Sequence, residues 1–361
     1  MPHSHHSHSG QFCRHAKDNL EDIVIEAIKQ GFEVYGLTEH APRYRVEDLY
    51  PEEADLSIAD LQAAYQSFLS TALSLKRKYA DQITLLIGLE SDYITDLDLE
   101  RTIDLLASHP EIEYIVGSVH HVGGIPIDFD RVTWLRAVYA CGQTGSSAAL
   151  SPLSELGTVE TSPLQIQPTY SPSSSELRPF ILAYLNQQLH MIRTLRPEVI
   201  GHFDLFRLWT PELDVRSPEL NREGERGVWE AIRRNVEEGV RIGALFEMNT
   251  AAFRKGWNTA YLCRPIAELI IESGGRFCFS DDSHGVTQVG LNYHRLRDYA
   301  ESLGMKSIYY LAPRRTDVVG DVRVDLEEAG AVRRADGWSE LGLGVRLGEI
   351  QEDSGGLCEC R

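Results

Sequence analysis

The side chains best suited to chemistry in this sequence are imidazoles. Four of them, His3, His5, His6 and His8, fall in the opening stretch Pro2-His3-Ser4-His5-His6-Ser7-His8-Ser9-Gly10. Alternate side chains of an extended strand share a face, so a His-x-His pair aims two imidazoles at one point. That arrangement suits a transition metal. A solvated polar N-terminus or an expression tag would have the same composition. Serines interrupt the run, however, and a helical pattern follows soon after it, so the rest of the chain must decide.

Further candidates recur at one kind of place. The apolar run Val34–Leu37 ends in Thr38-Glu39-His40, and Ile83–Ile87 ends in Gly88-Leu89-Glu90. Tyr114–Val119 ends in His120-His121, and Val199-Ile200 leads into Gly201-His202-Phe203-Asp204. Ala244–Phe246 ends in Glu247-Met248-Asn249, and Arg276–Phe279 in Ser280-Asp281-Asp282-Ser283-His284. Ser307–Tyr310 is expected to be a last strand. Helical patterns separate these runs: one begins at Asp18-Asn19 and closes at Gly31, and others cover roughly 57–80, 97–108, 178–196, 227–239, 264–273 and 287–303. The βαβα alternation predicts an α/β fold with a mostly parallel sheet. Histidines and carboxylates gathered at the C-terminal ends of successive strands converge only if the sheet curls, which favours a barrel.

The candidate donors are His6, His8, His15, His40, Glu90, His120, His202, Asp282 and His284. One mononuclear site needs about four ligands, so this inventory suits two or three metals with a bridging carboxylate. Asp281 competes with Asp282, although the Asp-x-His spacing favours the latter. Glu39 and Asp204 stand where they could orient imidazoles, and Glu247 and Asn249 could do the same or simply pack. His3, His5 and His121 read as flanking residues, and His109 and His190 as surface or satisfied core histidines. Arg207, Arg254 and Lys255 follow strand ends. The two arginines are the candidates to grip a phosphate, the alternative being solvation or pairing with carboxylates.

Composition sets the limits. The chain has 361 residues, 42% hydrophobic and 25% charged, with a net charge of −19. It reads as a globular protein with no nucleic-acid or membrane partner. An anionic substrate would need local positive charge from metals or arginines. No apolar leader or membrane-length run is present, and six scattered cysteines fit a reducing setting, so a cytoplasmic location is expected. Residues 1–312 read as one catalytic domain with a Ser/Pro/Gly-rich insertion at about 140–176, and 313–361 as an acidic appendage, partly disordered.

Several pieces together resemble the PHP (polymerase and histidinol phosphatase) superfamily, and within it a fungal-type histidinol-phosphatase. They are His6-Ser7-His8, Cys13-Arg14-His15, Leu37-Thr38-Glu39-His40-Ala41-Pro42, Gly88-Leu89-Glu90, Gly117-Ser118-Val119-His120, Gly201-His202-Phe203-Asp204-Leu205, Glu247-Met248-Asn249-Thr250 and Ser280-Asp281-Asp282-Ser283-His284. The resemblance implies a distorted (β/α)7 barrel with three divalent metals (zinc, iron or manganese) at the strand C-termini. It implies one metal on His6, His8, Glu90 and Asp282, a second on Glu90, His120 and His202, and a third on His15, His40 and His284. Glu90, Asp282 and His284 would be catalytic, and the reaction would be hydrolysis of L-histidinol phosphate in histidine biosynthesis. Cleavage of another small phosphate ester or nucleotide, and a non-catalytic metal-binding role, stand as the alternatives. Oligomeric state is left open.

Overall fold

The computed structural model describes residues 2–144, 167–222, 224–225 and 227–312. A short strand β1 (His3–Ser4) precedes helix α1 (Leu20–Lys29). Strand β2 (Val34–His40), helix α2 (Ile58–Lys78), strand β3 (Thr84–Glu90), helix α3 (Asp96–Ser108) and strand β4 (Tyr114–Gly117) follow. A hairpin of β5 (His121–Val122) and β6 (Ile125–Pro126) turns at Gly123 and Gly124, both at positive φ (59° and 79°), where glycine carries no Cβ penalty. Helices α4 (Arg131–Thr144) and α5 (Ser174–Leu195) lead to β7 (Val199–Ile200) and α6 (Val228–Ile242). Strand β8 (Leu245–Asn249), the short α7 (Ala251–Arg254), α8 (Arg264–Glu272), β9 (Arg276–Ser280) and α9 (Tyr293–Ser302) complete the order.

Seven parallel strands form one sheet in the order β1-β2-β3-β4-β7-β8-β9. The ends meet. Ser7 bridges Ser283 in parallel, and His8 N–H donates to Ser283 O at 2.7 Å. Ser4 Oγ donates to Asp281 Oδ1 at 2.9 Å. The sheet is therefore a nearly closed, distorted (β/α)7 barrel.

The strands are buried on both faces, as parallel strands under helices are. Alternate residues Val34, Leu86, Tyr114, Val116, Val199, Leu245 and Cys278 form the interior cluster. Tyr35, Leu37, Ile87, Leu89, Ile115, Phe246 and Phe277 face the helical layer. Tyr114 crosses the interior and donates its hydroxyl to His5 O at 2.8 Å. Gly88 makes room for it, since a Cβ there would sit 2.5 Å from Tyr114 Cζ. Burial of each large apolar side chain contributes about 1.5–3 kcal/mol.

Three expectations need correction. The stretch at 140–176 is not an insertion throughout. Residues 140–144 finish α4 and α5 starts at Ser174, leaving 145–166, like the tail from 313, outside the described residues. Ser307–Tyr310 does not join the sheet as a strand. Tyr309 N–H donates to Phe277 O at 2.8 Å, and Leu311 N–H donates to His5 Nε2 at 3.0 Å. The last helix is shorter than expected, because Gly290 and Asn292 both sit at φ 67° and delay its start to Tyr293.

Candidate metal centre

Barrel parity builds the centre. His40 and Glu90 are the last residues of β2 and β3, paired in register, and their side chains lie on the interior face. His40 Nδ1 lies 3.0 Å from Glu90 Oε2. Glu90 is the hub. Its Oε1 is 3.1 Å from His6 Nε2, 3.2 Å from His120 Nε2 and 3.0 Å from His202 Nε2. Its Oε2 is 3.2 Å from His8 Nε2. Asp282 Oδ1 lies 3.7 Å from His6 Nε2 and 3.8 Å from His8 Nε2.

Donor atoms of His6, His8 and Glu90 lie within 4.8 Å of one another, as do those of Glu90, His120 and His202. His40 and His284 group with His8, whereas His15 groups with His40 and Cys13. The three rings are still neighbours, with His15 Nε2 3.3 Å from His40 Nε2 and the His15 and His284 ring centroids 5.2 Å apart. Several of the inward atoms, His6 Nε2, His8 Nε2 and His40 Nδ1 among them, are buried without a hydrogen-bond partner. Leaving buried polar atoms unpaired is costly, and a cation among nitrogen and oxygen donors would satisfy them. The residues present therefore fit a cluster of divalent metals.

The electrostatics match. Burial alone would raise the Glu90 carboxyl, but the imidazoles of His6, His120 and His40 hold it well below its usual range. Asp282 is likewise held low against burial by His6, His284 and His8. Burial opposes charge on His6, yet Glu90, Asp282 and Glu247 raise it well above its ordinary value. His40 is pushed down to about 3 by burial and by His8. His284 is also lowered by burial and by His8.

A second ring of groups sets the imidazoles. Glu247 Oε1 is 2.8 Å from His6 Nδ1, and its Oε2 accepts from His202 N–H at 2.7 Å and from Asn249 Nδ2 at 3.1 Å. Asn249 Nδ2 also donates to Asp282 Oδ2 at 3.1 Å. Glu39 Oε1 accepts from both the amide and the hydroxyl of Ser9, and its Oε2 is 3.6 Å from His8 Nδ1. Asp281 is turned away from the centre. It accepts from Ser4 Oγ, Tyr35 Oη and Gly290 N–H, and burial pushes it up to about 6. Asp282, at φ 49°, is the member of the pair that faces the imidazoles.

Some expected roles change. Asp204 orients no imidazole: it pairs with Arg207 at 2.8 Å and accepts from the Leu262 and Cys263 amides. Arg207 is buried, committed to Asp204 and the Pro211 carbonyl, and lies over the Trp257 ring, so it does not reach the donor cluster. Arg254 stands at the cluster's rim. Its two terminal nitrogens donate to Asp281 O at 2.7 Å and Asp282 O at 2.6 Å, holding the left-handed Asp282 backbone. His3 and His5 are buried acceptors, His3 Nε2 taking the Phe279 amide at 3.0 Å and His5 Nε2 that of Leu311.

Sequence reasoning missed Asp92 and Arg43. Asp92 is fully buried, with Oδ1 3.5 Å from His120 Nδ1 and 3.4 Å from His121 Nδ1. Arg43 pairs with it at 3.0 Å and with Glu53 at 3.0 Å, its guanidinium 4.4 Å from the Tyr50 ring centroid. The available signal was spacing: Asp92 is two residues beyond Glu90.

Comparisons with known proteins place the chain in a family. The family profile described as "PHP domain" matches residues 4–251. The chain is 42% identical over 308 residues to a Schizosaccharomyces pombe protein named "Probable histidinol-phosphatase", covering 85% of this chain and 89% of that one. It is 31% identical over 337 residues to the Saccharomyces cerevisiae "Histidinol-phosphatase", covering 86% and 91%. The fold matches the solved structure of a Lactococcus lactis histidinol phosphate phosphatase complexed with zinc, L-histidinol and phosphate. That match has a TM-score of 0.54 at 17% identity, over 90% of this chain and 98% of that one. The chain belongs to the PHP family, in its histidinol-phosphatase branch.

Proposed function

We propose that this chain is a metal-dependent phosphomonoesterase that hydrolyses L-histidinol phosphate to L-histidinol and phosphate in histidine biosynthesis. The carrying observation is the convergence of His6, His8, Glu90, His120, His202 and Asp282 in a chain 42% identical to a named histidinol-phosphatase. We assign three cations, of zinc, iron or manganese type, to this donor set. The first is held by His6, His8, Glu90 and Asp282 and the second by Glu90, His120 and His202. The third takes His40 with His15 or His284. Such ions supply Lewis acidity toward a phosphoryl group and make a bound water acidic enough to react near neutral pH.

The chain's own groups do the rest. Glu90 keeps its negative charge at the hub and ties five imidazoles into one geometry. Asp282, held ionised by His6, His284 and His8, would keep its negative charge in the donor set, with Oδ1 3.6 Å from His284 Nδ1. Each terminal nitrogen of Arg254 keeps a second hydrogen for a phosphoryl oxygen while the first holds the Asp282 loop.

Phosphate release from L-histidinol phosphate, measured against a panel of phosphorylated metabolites, tests the reading. The native chain should prefer histidinol phosphate, while Glu90→Gln or prior metal stripping should remove turnover. Preference for an ester without an imidazole, or full activity after stripping, overturns it.

A further inference from the structure

We propose that Cys13, His15 and His40 form a mixed sulfur–nitrogen metal site at the rim of the centre, with the Cys13 thiolate as a ligand. This corner selects a borderline-soft cation such as zinc or cobalt over manganese or magnesium. The inference deepens the reading of the centre as a metallophosphatase and rests on it.

Cys13 lies in the turn after β1. Its amide donates to Ser9 O at 2.9 Å and its carbonyl accepts from Ala16 N–H at 3.2 Å, so the turn fixes the direction of Sγ. The residue is 7% exposed. Cys13 Sγ lies 3.2 Å from His15 Nε2, and His15 Nε2 lies 3.3 Å from His40 Nε2. All three donor atoms fall within 4.8 Å of one another. Tetrahedral zinc with bonds of ~2.0–2.1 Å to nitrogen and ~2.3 Å to sulfur has donor–donor edges of roughly 3.4 Å and 3.6 Å. The two short separations here are close to those edges before any adjustment.

Two arguments favour the thiolate. Charge is the first. His15 and His40 are neutral ligands, so Cys13 is the member of this trio that brings a negative charge to the corner, and a cation there stands beside others held by Glu90. Softness is the second. A thiolate among imidazoles favours zinc and its neighbours, whereas carboxylate and water ligands suit manganese and magnesium. On binding, the sulfur–metal bond forms as the sulfur–hydrogen bond breaks, and the proton passes to water.

A hydrogen bond from the Cys13 thiol to His15 would give the same separation, so the test must see sulfur on metal. The chain is prepared with Cys358→Ser and Cys360→Ser, which removes the Cys-Glu-Cys tail as a competing thiolate pair. It is then stripped and titrated with cobalt(II). One equivalent should develop a sulfur-to-cobalt charge-transfer band. Adding Cys13→Ser should abolish that band and weaken binding of that equivalent by at least about tenfold. X-ray absorption of the zinc-loaded chain supplies a measurement that needs no change at Cys13, with a sulfur shell expected at ~2.3 Å. No band and no sulfur shell, or a band that survives Cys13→Ser, overturns the proposal. Cobalt bound without a sulfur signature, with histidinol phosphate still hydrolysed, overturns this ligand and leaves the function standing. A sulfur signature in a chain that releases no phosphate from histidinol phosphate supports the ligand and overturns the substrate reading.

Discussion

Replacing Glu247 with Gln isolates what a supporting carboxylate contributes to the centre. Glu247 is fully buried, and its three partners all donate to it: His6 Nδ1, the His202 amide and Asn249 Nδ2. For His6 to offer Nε2 to a cation, its Nδ1 must carry the proton, which Glu247 Oε1 is placed to accept. Gln keeps the shape but has one acceptor oxygen and one NH2. With the oxygen toward His202 and Asn249, its NH2 faces His6 Nδ1 and drives the ring to the tautomer that blocks Nε2. With the oxygen toward His6, the NH2 meets the His202 amide. The first arrangement loses one charge-assisted hydrogen bond and the second loses two, those from the His202 amide and Asn249 Nδ2, so the smaller loss is about 1.5–3 kcal/mol. At about 1.4 kcal/mol per decade, cation affinity should fall roughly 10–100-fold, the range typical of such supporting groups. Competition titration against a chromophoric chelator measures this, and thermal unfolding of the stripped chain checks that the barrel persists. Turnover should return at saturating metal. Unchanged affinity in a folded Glu247→Gln chain would refute the assignment of Glu247 as the group that fixes the His6 tautomer.

Three further outcomes follow from the same geometry. His8 is raised to about 9 because Glu39 and Glu90 outweigh the burial that would lower it. A cation must displace that proton, so affinity should climb as pH rises toward about 9 and level off above it; titrations giving a flat affinity across that interval would contradict the assignment. Asp92→Asn leaves the buried Arg43 with Glu53 as its one ionic partner among the described residues, so urea unfolding should show a loss of about 3–5 kcal/mol together with weaker cation binding, whereas an unmoved midpoint would mean the pair is not coupled. His5→Leu should leave the Leu311 amide unpaired and lower stability by about 1–3 kcal/mol while metal content stays that of the native chain; lost metal would place His5 in the centre after all.

Much of the architecture was legible because two periodicities ran through the sequence without conflict. Strands β2 to β4 and β7 to β9 each carry an apolar run that ends in an imidazole or carboxylate, and each was placed within a few residues. Helix α4 was not anticipated. Its stripe of Trp134, Leu135 and Val138 is present, but it runs straight into low-complexity sequence that hid its end. The donor set was readable for the same reason as the strands, since strand-end residues of one parity point inward. What could not be read was pairing between loops. Arg207 lies only three residues from Asp204, but that Asp204 also takes the 262–263 backbone, and Glu247 takes His6, depends on contacts across 58 and 241 positions of chain. Nothing local distinguishes a carboxylate after a strand that faces an imidazole from one that faces a neighbouring turn.

The opening histidines show how one local break divides four identical side chains into two roles. With unbroken alternation, His3 and His5 would share a face and His6 and His8 would lie on the opposite one. Instead all four turn toward the barrel interior. The His5 ring lies 6.0 Å from that of Tyr114, an interior residue, while His6 and His8 reach Glu90, interior to β3. This requires a reset of parity between His5 and His6. The chain supplies it: β1 ends at Ser4, His5 lies in a bend, and pairing resumes at Ser7 with Ser283. Ser7 secures the resumed segment, its amide donating to Thr38 Oγ1 at 3.0 Å and its hydroxyl to Gly36 O at 2.7 Å. His3 and His5, below the break, take up backbone amides of Phe279 and Leu311 and seal the barrel floor. His6 and His8, above it, face the donors of the centre. The shortness of β1 is therefore a condition of the site, because a longer regular strand would turn one of the two pairs out of the barrel.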